Sequence, residues 1–180
     1  MNDQQQELRR MFEKFYQRVY QTAFYVVKDV HLAQDVLQET FIKAFRHIER
    51  CPEGEQAGAW LATIASRTAI DFVRKQSRRP AVPLDTAIIE ANAMRREVAS
   101  SVERQVENAF TVEEVLRKID TLRPKARSVA ILKFLHELKD DEIAEALDLK
   151  VGTVKSRLYR VKKELRLSMQ RKRMMNSASL

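Results

Sequence analysis

Apolar residues recur at helical spacing along most of this 180-residue chain, and few residues interrupt them. Near the N-terminus, for example, Phe15, Val19, Ala23 and Val27 follow one another at intervals of four. A period close to 3.6 residues is typical of amphipathic helices. Only three glycines and four prolines are present, and no alternating β-branched run stands out. The sequence therefore predicts an all-α protein.

Breaks in the helical pattern divide the chain into two small helical domains. The first break, residues 49–58, contains Pro52 and two of the three glycines, and predicts a loop inside the first domain. The second break begins at Ser77 and opens a linker, in which apolar residues recur every four positions from Met94 to Phe110. This linker is predicted to be partly helical. The predicted organisation is a first domain over 1–76, the linker over 77–110, a second domain over 111–170 and a frayed tail over 171–180.

The first domain is predicted to contain three helices, over residues 8–28, 31–48 and 59–76. The second helix is expected to bury Phe45 among its inward-facing residues. The third is expected to bury a stripe that starts at Leu61 and ends at Val73. Polar and basic residues that are predicted to lie off this stripe are Thr63, Ser66, Arg67, Arg74 and Lys75.

The stretch 138–165 has the pattern of a helix-turn-helix. A first helix is predicted over 140–147, with Asp140 or Asp141 as its N-cap, and residues 148–150 form the turn. The second helix is predicted to run from Val151 past Leu165. Its buried side carries Val154, Leu158, Val161 and Leu165, and its other side carries Lys155, Ser156, Tyr159, Arg160, Lys162 and Lys163. A solvated helical hairpin is the alternative, but a solvated helix usually mixes charges of both signs, and this face is cationic.

The charge balance indicates a polyanionic partner. The chain carries 33 Lys and Arg against 25 Asp and Glu, a formal net charge of +8, which favours nucleic acid over membrane. No apolar run approaches the roughly 20 residues of a membrane span, and the N-terminal residues do not resemble a signal peptide. A single cysteine, Cys51, excludes an internal disulfide framework. We expect a cytoplasmic protein without membrane contact.

The pattern of polar residues gives no sign of catalysis. Paired inward carboxylates, a phosphate-binding loop and a set of four metal ligands are all lacking in the sequence. The histidines are scattered, and only His47 and Cys51 fall at i, i+4. We therefore predict no enzyme activity, no catalytic residue, no metal and no cofactor.

A polar and acidic patch is predicted on the second helix. Asp35, Gln38 and Glu39 fall at i, i+3 and i+4, and Ile42 extends the same line. The patch is either a solvated face, helped by a Glu39–Lys43 ion pair, or a docking surface. Spacing alone favours the solvated face.

Three motifs make the chain similar to a known family. AQDVLQETFIKAF at residues 33–45, AWLATIASRTAIDFVRK at 59–75 and VGTVKSRLYRVKKEL at 151–165 occur in this order. Together they resemble conserved regions 2 and 4 of the extracytoplasmic-function (ECF) group of bacterial sigma factors, of the sigma-70 family. The resemblance covers nearly the whole chain apart from the middle and the last residues.

The resemblance implies a role for the first domain in docking and in −10 recognition. In the family, the helix that matches Asp35, Gln38, Glu39 and Ile42 docks on a coiled coil of the β′ subunit of RNA polymerase, which reverses the preference drawn from spacing. The loop that matches 53–58 captures an unstacked base of the promoter −10 element, and the helix after it contacts the −10 region. The implied −10 residues are Glu53, Glu55, Gln56, Trp60, Thr63, Ser66, Arg67, Arg74 and Lys75. Arg67 stands where the family often has Asn, and Arg favours guanine edges or phosphates.

The resemblance implies −35 recognition for the second domain. Residues 151–165 match the −35 recognition helix. The resemblance implies base or near-base contacts at Lys155, Ser156, Tyr159 and Arg160. It implies phosphate contacts at Thr153 and Arg157, and a further DNA contact at Lys163. Asp148 replaces the Gly usual in the turn, and Asp tolerates a left-handed backbone better than most residues do.

These features predict an alternative sigma factor. Such a protein binds core RNA polymerase, through the β′ coiled coil and the β flap, recognises the −35 and −10 elements and helps to melt the promoter. An anti-sigma factor is expected as a further partner. The alternative is a stand-alone helix-turn-helix regulator that binds duplex DNA as a dimer. Such a regulator needs neither the acidic patch nor the Trp60 helix.

Overall fold

A computed structural model describes residues 3–77 and 112–177, and all regular structure in these two ranges is helical. The all-α prediction is therefore confirmed. No helix in the described ranges is both long and apolar enough to cross a membrane. The α-helices are α1 (Asp3–Val27), α2 (Val30–Arg46), α3 (Gln56–Gln76), α4 (Val112–Thr121), α5 (Pro124–Phe134), α6 (Asp140–Leu147) and α7 (Val151–Ser177), with a 3₁₀ turn at Ile48–Arg50.

Helices α1, α2 and α3 pack on one another as a three-helix unit. The Asp29 side chain accepts a 2.8 Å hydrogen bond from the Leu32 amide and so caps α2. The start of α3 lies very close to α1. A Cβ at Gly58 would stand 2.3 Å from Nη1 of Arg18 and 2.9 Å from the Phe15 ring. Glycine at this position therefore allows the two helices to approach closely. The apolar core of the unit contains Met11, Phe15, Val19, Phe41, Ala44, Ile48, Ala57, Leu61 and Ala65.

The structure corrects two expectations about the first three helices. The predicted loop over 49–58 is shorter, because the 3₁₀ turn takes up its start and α3 begins at Gln56. Phe45, predicted to be buried, is 39% exposed. Val36, Thr40 and Ala44, four residues apart, already fill the buried face of α2, so the side chain of Phe45 extends toward solvent.

The helix-turn-helix consists of α6 and α7, and its boundaries match the prediction. Its N-cap is Lys139 rather than Asp140 or Asp141, and the Lys139 amide donates a 2.6 Å hydrogen bond to the Glu142 carboxylate. Asp148 adopts the predicted left-handed conformation, with φ 51° and ψ 55°.

The second helix of the motif buries the predicted side. Val154, Leu158, Val161 and Leu165 are each at most 5% exposed. The helix continues to Ser177, whereas the tail from residue 171 had been predicted to fray. Pro124 begins α5, at a position where a helix tolerates proline because its missing N–H would have no partner there.

The two halves of the chain pack against each other. Helix α3 contacts α5 and α6, and α1 contacts α5. Ala62 of α3 is fully buried in a cluster with Val129, Ile143 and Leu158 from the second half. The predicted linker, 77–110, lies outside the described residues except for Ser77. What the structure adds is that one face of α3 is covered by the helix-turn-helix half.

Candidate nucleic-acid interface

The outer face of α7 is a cationic surface. Its predicted polar side chains are exposed, and Tyr159 is the most exposed at 65%. The Ser156 hydroxyl donates to the Thr153 carbonyl at 3.0 Å. Arg157 stands slightly apart, because its Nη1 donates to the Lys125 carbonyl at 3.2 Å. Nothing lies within 4 Å of the Cβ position of Gly152, so packing does not require a glycine there. The exposed members of this face are Lys155, Ser156, Tyr159, Arg160, Lys162 and Lys163.

The predicted acidic patch of α2 is exposed. Asp35, Gln38 and Ile42 face solvent, with Ile42 48% exposed. Glu39 is partly buried and forms the predicted i, i+4 pair with Lys43 at 3.8 Å. Two carboxylates, an amide and an exposed isoleucine therefore share one surface, next to the exposed ring of Phe45.

The loop before α3 is tied to α1. The Glu55 carboxylate accepts a 2.8 Å hydrogen bond from Lys14 and lies 3.7 Å from Arg18. The Lys14 contact lowers the pKa of Glu55. Glu53 and Gln56 are exposed on either side of it. Glu55 therefore anchors the loop, while its neighbours are free to meet a ligand.

Trp60 lines a cleft of about 530 Å³ between α2 and α3. Thr63 and Arg67, predicted to contact the −10 element, line the same cleft. Three further cations at its edge, Lys43, Arg46 and Arg50, were not among the predicted contacts. Lys43 and Arg46 lie at i, i+3 on α2, a spacing that could have identified these two from the sequence, whereas Arg50 lies in the 3₁₀ turn after the helix.

Ser66 and Arg67 do not lie on a free face. Ser66 is fully buried, and its hydroxyl has no hydrogen-bond partner. Arg67 is exposed overall, but its Nε donates to the Ala146 carbonyl and its Nη2 to the Glu145 carbonyl, the latter at 2.6 Å. The expectation that Ser66 lies off the buried stripe is wrong in this arrangement, because the second half of the chain covers that side of α3.

The predicted −10 and −35 residues meet in a second cleft. Arg67 and Arg74 of α3 line it together with Lys125 and Arg157 of the second half, and its volume is about 310 Å³. Lys75 is exposed at the end of α3, with its ammonium 5.8 Å from the Phe72 ring centroid. The structure thus brings together basic residues that were assigned to separate promoter elements.

Residues 3–77 and 112–177 hold no cluster of three or more His, Cys, Asp or Glu side chains that could bind a metal. The Cys51 thiol is partly buried, with Sγ 3.8 Å from the Met11 sulfur. Burial, with a smaller contribution from Glu7, raises the pKa of Cys51. Because the thiolate is the reactive form, this shift reduces the share of Cys51 in that form at neutral pH.

Comparison with known proteins identifies both halves of the chain. Residues 11–79 match the family model Sigma-70 region 2, and residues 112–165 match Sigma-70, region 4. The chain is 31% identical over 152 residues to the ECF RNA polymerase sigma factor SigW of Bacillus subtilis, covering 83% of this chain and 81% of that protein. It is also 35% identical over 135 residues to the ECF RNA polymerase sigma-E factor of Salmonella typhimurium. This match covers 73% of this chain and 70% of that protein.

A solved structure has a similar fold. The sigma factor RpoE of Bartonella quintana, in complex with the anti-sigma factor NepR, aligns with a TM-score of 0.58 and 20% identity, covering 94% of this chain and 98% of that one. The two family models, the ordered motifs and the helical architecture agree. The chain therefore belongs to the ECF group of the sigma-70 family, and it is an alternative sigma factor for transcription initiation.

Proposed function

We propose that three surfaces divide the work of this sigma factor. The α2 patch docks on core RNA polymerase, α3 with the loop before it contacts the −10 element, and α7 reads the −35 element. The observation that carries this proposal is the separation of charge. From Lys155 to Lys163, every charged side chain on the outer face of α7 is cationic, whereas the exposed face of α2 presents Asp35 and Glu39. A cationic surface suits DNA, whose phosphates it can neutralise, and an acidic surface suits a basic protein partner.

The α2 patch suits a basic helical partner. The carboxylates of Asp35 and Glu39 complement cationic side chains, and Ile42 and Phe45 offer apolar area beside them. Complementary charge guides the encounter, and burial of the apolar side chains slows dissociation. A coiled coil of the β′ subunit, the partner of the matching helix in the family, has the shape for this surface.

The Trp60 cleft suits melted DNA. Indole rings stack on bases, and cations around them hold the backbone of a single strand. Lys43, Arg46 and Arg50 line the cleft on the α2 side, while Thr63 lines it on the α3 side. Glu53 lies in the loop just before the same helix, and Gln56 begins it. The Glu53 carboxylate can accept a hydrogen bond from a flipped base, and the Gln56 amide can accept or donate one.

The α7 face suits a major groove. A helix with exposed cations and hydroxyls fits into this groove and can reach base edges and phosphates. Arg160 can form a bidentate contact with guanine, and Tyr159 offers a ring and a hydroxyl. Lys155 and Ser156 lie one turn before them. Arg157 and Thr153 are placed for phosphates at the edge of the face.

We also propose that the protein acts in the cytoplasm, is not itself a catalyst and is held by an anti-sigma factor. The similar RpoE structure includes an anti-sigma factor. Exposed basic and acidic surfaces on one small chain offer such a partner contacts of both signs. A stand-alone regulator is the competing function, and it has no use for the α2 patch.

The decisive experiment is in vitro transcription with purified core polymerase. We expect promoter-dependent initiation by the wild-type protein. The double variant Asp35→Ala with Glu39→Ala should fold normally but lose co-purification with core polymerase. A control with the same change in charge is Glu13→Ala with Asp141→Ala, two exposed carboxylates on other helices. If both double variants bound core polymerase equally well, the docking proposal would be wrong.

A further inference from the structure

Two arginines bridge the halves of the chain in a reciprocal way. Arg67 of the first half donates to the carbonyls of Glu145 and Ala146, at the C-terminal end of α6 in the second half. Arg127 of the second half donates to the carbonyls of Tyr25 and Val26, at the C-terminal end of α1 in the first half, with Nη1–O distances of 3.3 and 2.7 Å. Each guanidinium thus caps a helix of the opposite half.

The acceptors explain why arginine suits both positions. The last four carbonyls of an α-helix have no partner inside the helix, and they carry the negative end of its dipole. A guanidinium offers several N–H donors in a fixed fork and retains its charge. Arg127 is only 9% exposed, and its Nη2 also donates to the Leu122 carbonyl at 2.8 Å. Burial lowers the pKa of Arg127, yet an arginine keeps its proton under such conditions.

With both caps formed, part of the predicted −10 surface of α3 is engaged inside the protein. Ser66 is fully buried, and Arg67 donates its Nε and Nη2 to backbone carbonyls of α6. Arg74 and Arg157, assigned to different promoter elements, line one cleft. Ordinary B-DNA rises about 3.4 Å per base pair, so elements at −35 and −10 are far too widely separated for residues sharing one cleft.

We propose that this reciprocal capping is an autoinhibitory latch built into the free sigma factor. Arg67 and Arg127 close the −10 helix against the helix-turn-helix, and promoter binding requires both caps to break. Arg67 suits this purpose, since the Asn common in the family is too short to span the same carbonyls with a fork. The inference rests on the proposed −10 role of α3 only for its effect on DNA binding; the latch itself is a property of the free protein.

The closed state is testable by energy transfer within the full-length chain. Donor and acceptor dyes are attached to Glu13→Cys in α1 and Asp141→Cys in α6, both exposed, with Cys51→Ser to remove the native thiol. The latch is weakened by Arg127→Gln, which lies outside every predicted DNA surface. Arg117→Gln, an exposed arginine in the same half, is the control for lost charge. A milder variant, Thr22→Val, removes only the hydroxyl that contacts the His136 ring across the junction.

We expect high transfer efficiency in the wild type and in Arg117→Gln. In Arg127→Gln the closed-to-open ratio should fall roughly tenfold or more, the factor expected for losing charge-assisted hydrogen bonds. Thr22→Val should shift it in the same direction by a smaller factor, with an unchanged helical circular dichroism spectrum. Equal efficiencies in all four proteins would overturn the latch, as would a low efficiency in the wild type.

A second measurement separates the latch from the proposed DNA role. Binding of a fluorescent single-stranded oligonucleotide with a −10 sequence is measured for the same free proteins. Opening should raise affinity in Arg127→Gln relative to Arg117→Gln by a factor similar to the change in the closed-to-open ratio. If the chain opens without any gain in binding, α3 is not the −10 surface and the autoinhibitory part of the proposal is wrong. If affinity rises while energy transfer is unchanged, the latch is not what limits binding.

Discussion

The junction between the halves contains a histidine whose protonation should destabilise the fold. His136 follows α5, and its Nε2 lies 2.7 Å from the Thr22 hydroxyl on α1. That hydroxyl gives its single proton to the Arg18 carbonyl at 2.8 Å, so Nε2 carries the ring proton and Nδ1 is left as a buried acceptor without a partner. A second proton would create a buried, unpaired N–H donor. Burial, followed by the nearby Arg18 charge, lowers the pKa of His136 from 6.5 to about 3.

The sign and size of the effect follow from linkage. The unfolded chain takes up the proton near pH 6.5, while the folded chain does not until pH is close to 3. Stability is therefore fully present above pH 6.5 and is lost as pH falls below it. Between pH 7.5 and 5.5, the difference amounts to about 1.4 kcal/mol from this one group, or roughly tenfold in the unfolding equilibrium.

The assay is urea unfolding of the wild type and of His136→Gln, followed by circular dichroism at pH 7.5 and 5.5. The glutamine amide can still donate to Thr22 but does not titrate. His31 and His47 are present in both proteins, so their contributions cancel. The wild type should lose about 1.4 kcal/mol more than the variant over this interval. If both proteins lost stability equally, His136 would be accessible to protons in the folded state, and the argument from its burial would fail.

Two further substitutions test α7. Arg160→Ala should cost about 1–3 kcal/mol of discrimination between correct and altered −35 sequences, measured by promoter competition, with exposed Arg166→Ala as the control; an equal loss on all sequences would make Arg160 a phosphate contact instead. Leu158→Ala should lower the free energy of unfolding by about 2–5 kcal/mol, because Leu158 is only 5% exposed in the core. Leu167→Ala, 41% exposed on the same helix, should stay within about 0.5 kcal/mol in denaturant unfolding, and similar losses in both variants would contradict the assigned core face.

Local patterns predicted most of the individual helices. The spacing of Val154, Leu158, Val161 and Leu165 identified the buried side of α7 because helical geometry places residues at these intervals on one face. Asp148 was expected to take a left-handed conformation, and the chain reverses there. The helix boundaries differ more from the prediction: the loop before α3 is shorter, and α7 extends further. The end of a helix depends on its cap and its neighbours, and preferences for capping residues would not select Lys139.

The interpretation of α3 shows where sequence patterns stop being sufficient. A helical pattern distinguishes one buried stripe from one exposed face, so Ser66 and Arg67 were both assigned to the exposed side. In the structure a second body packs on that side, and contacts such as Arg67 with Glu145 join residues nearly 80 positions apart. No local preference encodes a contact of this kind.

The sequence by itself determined the family, the helical class and the sign of the charge on α2 and α7, and it predicted the two DNA-binding segments. These properties follow from residue order, spacing and charge, and they are local. Only the tertiary structure decided that the two halves close on each other, that Arg67 and Arg127 cap helices across the junction and that His136 is buried there. The reason is physical: a helix end has unpaired carbonyls wherever it occurs, but which distant side chain reaches them depends on packing of the whole chain.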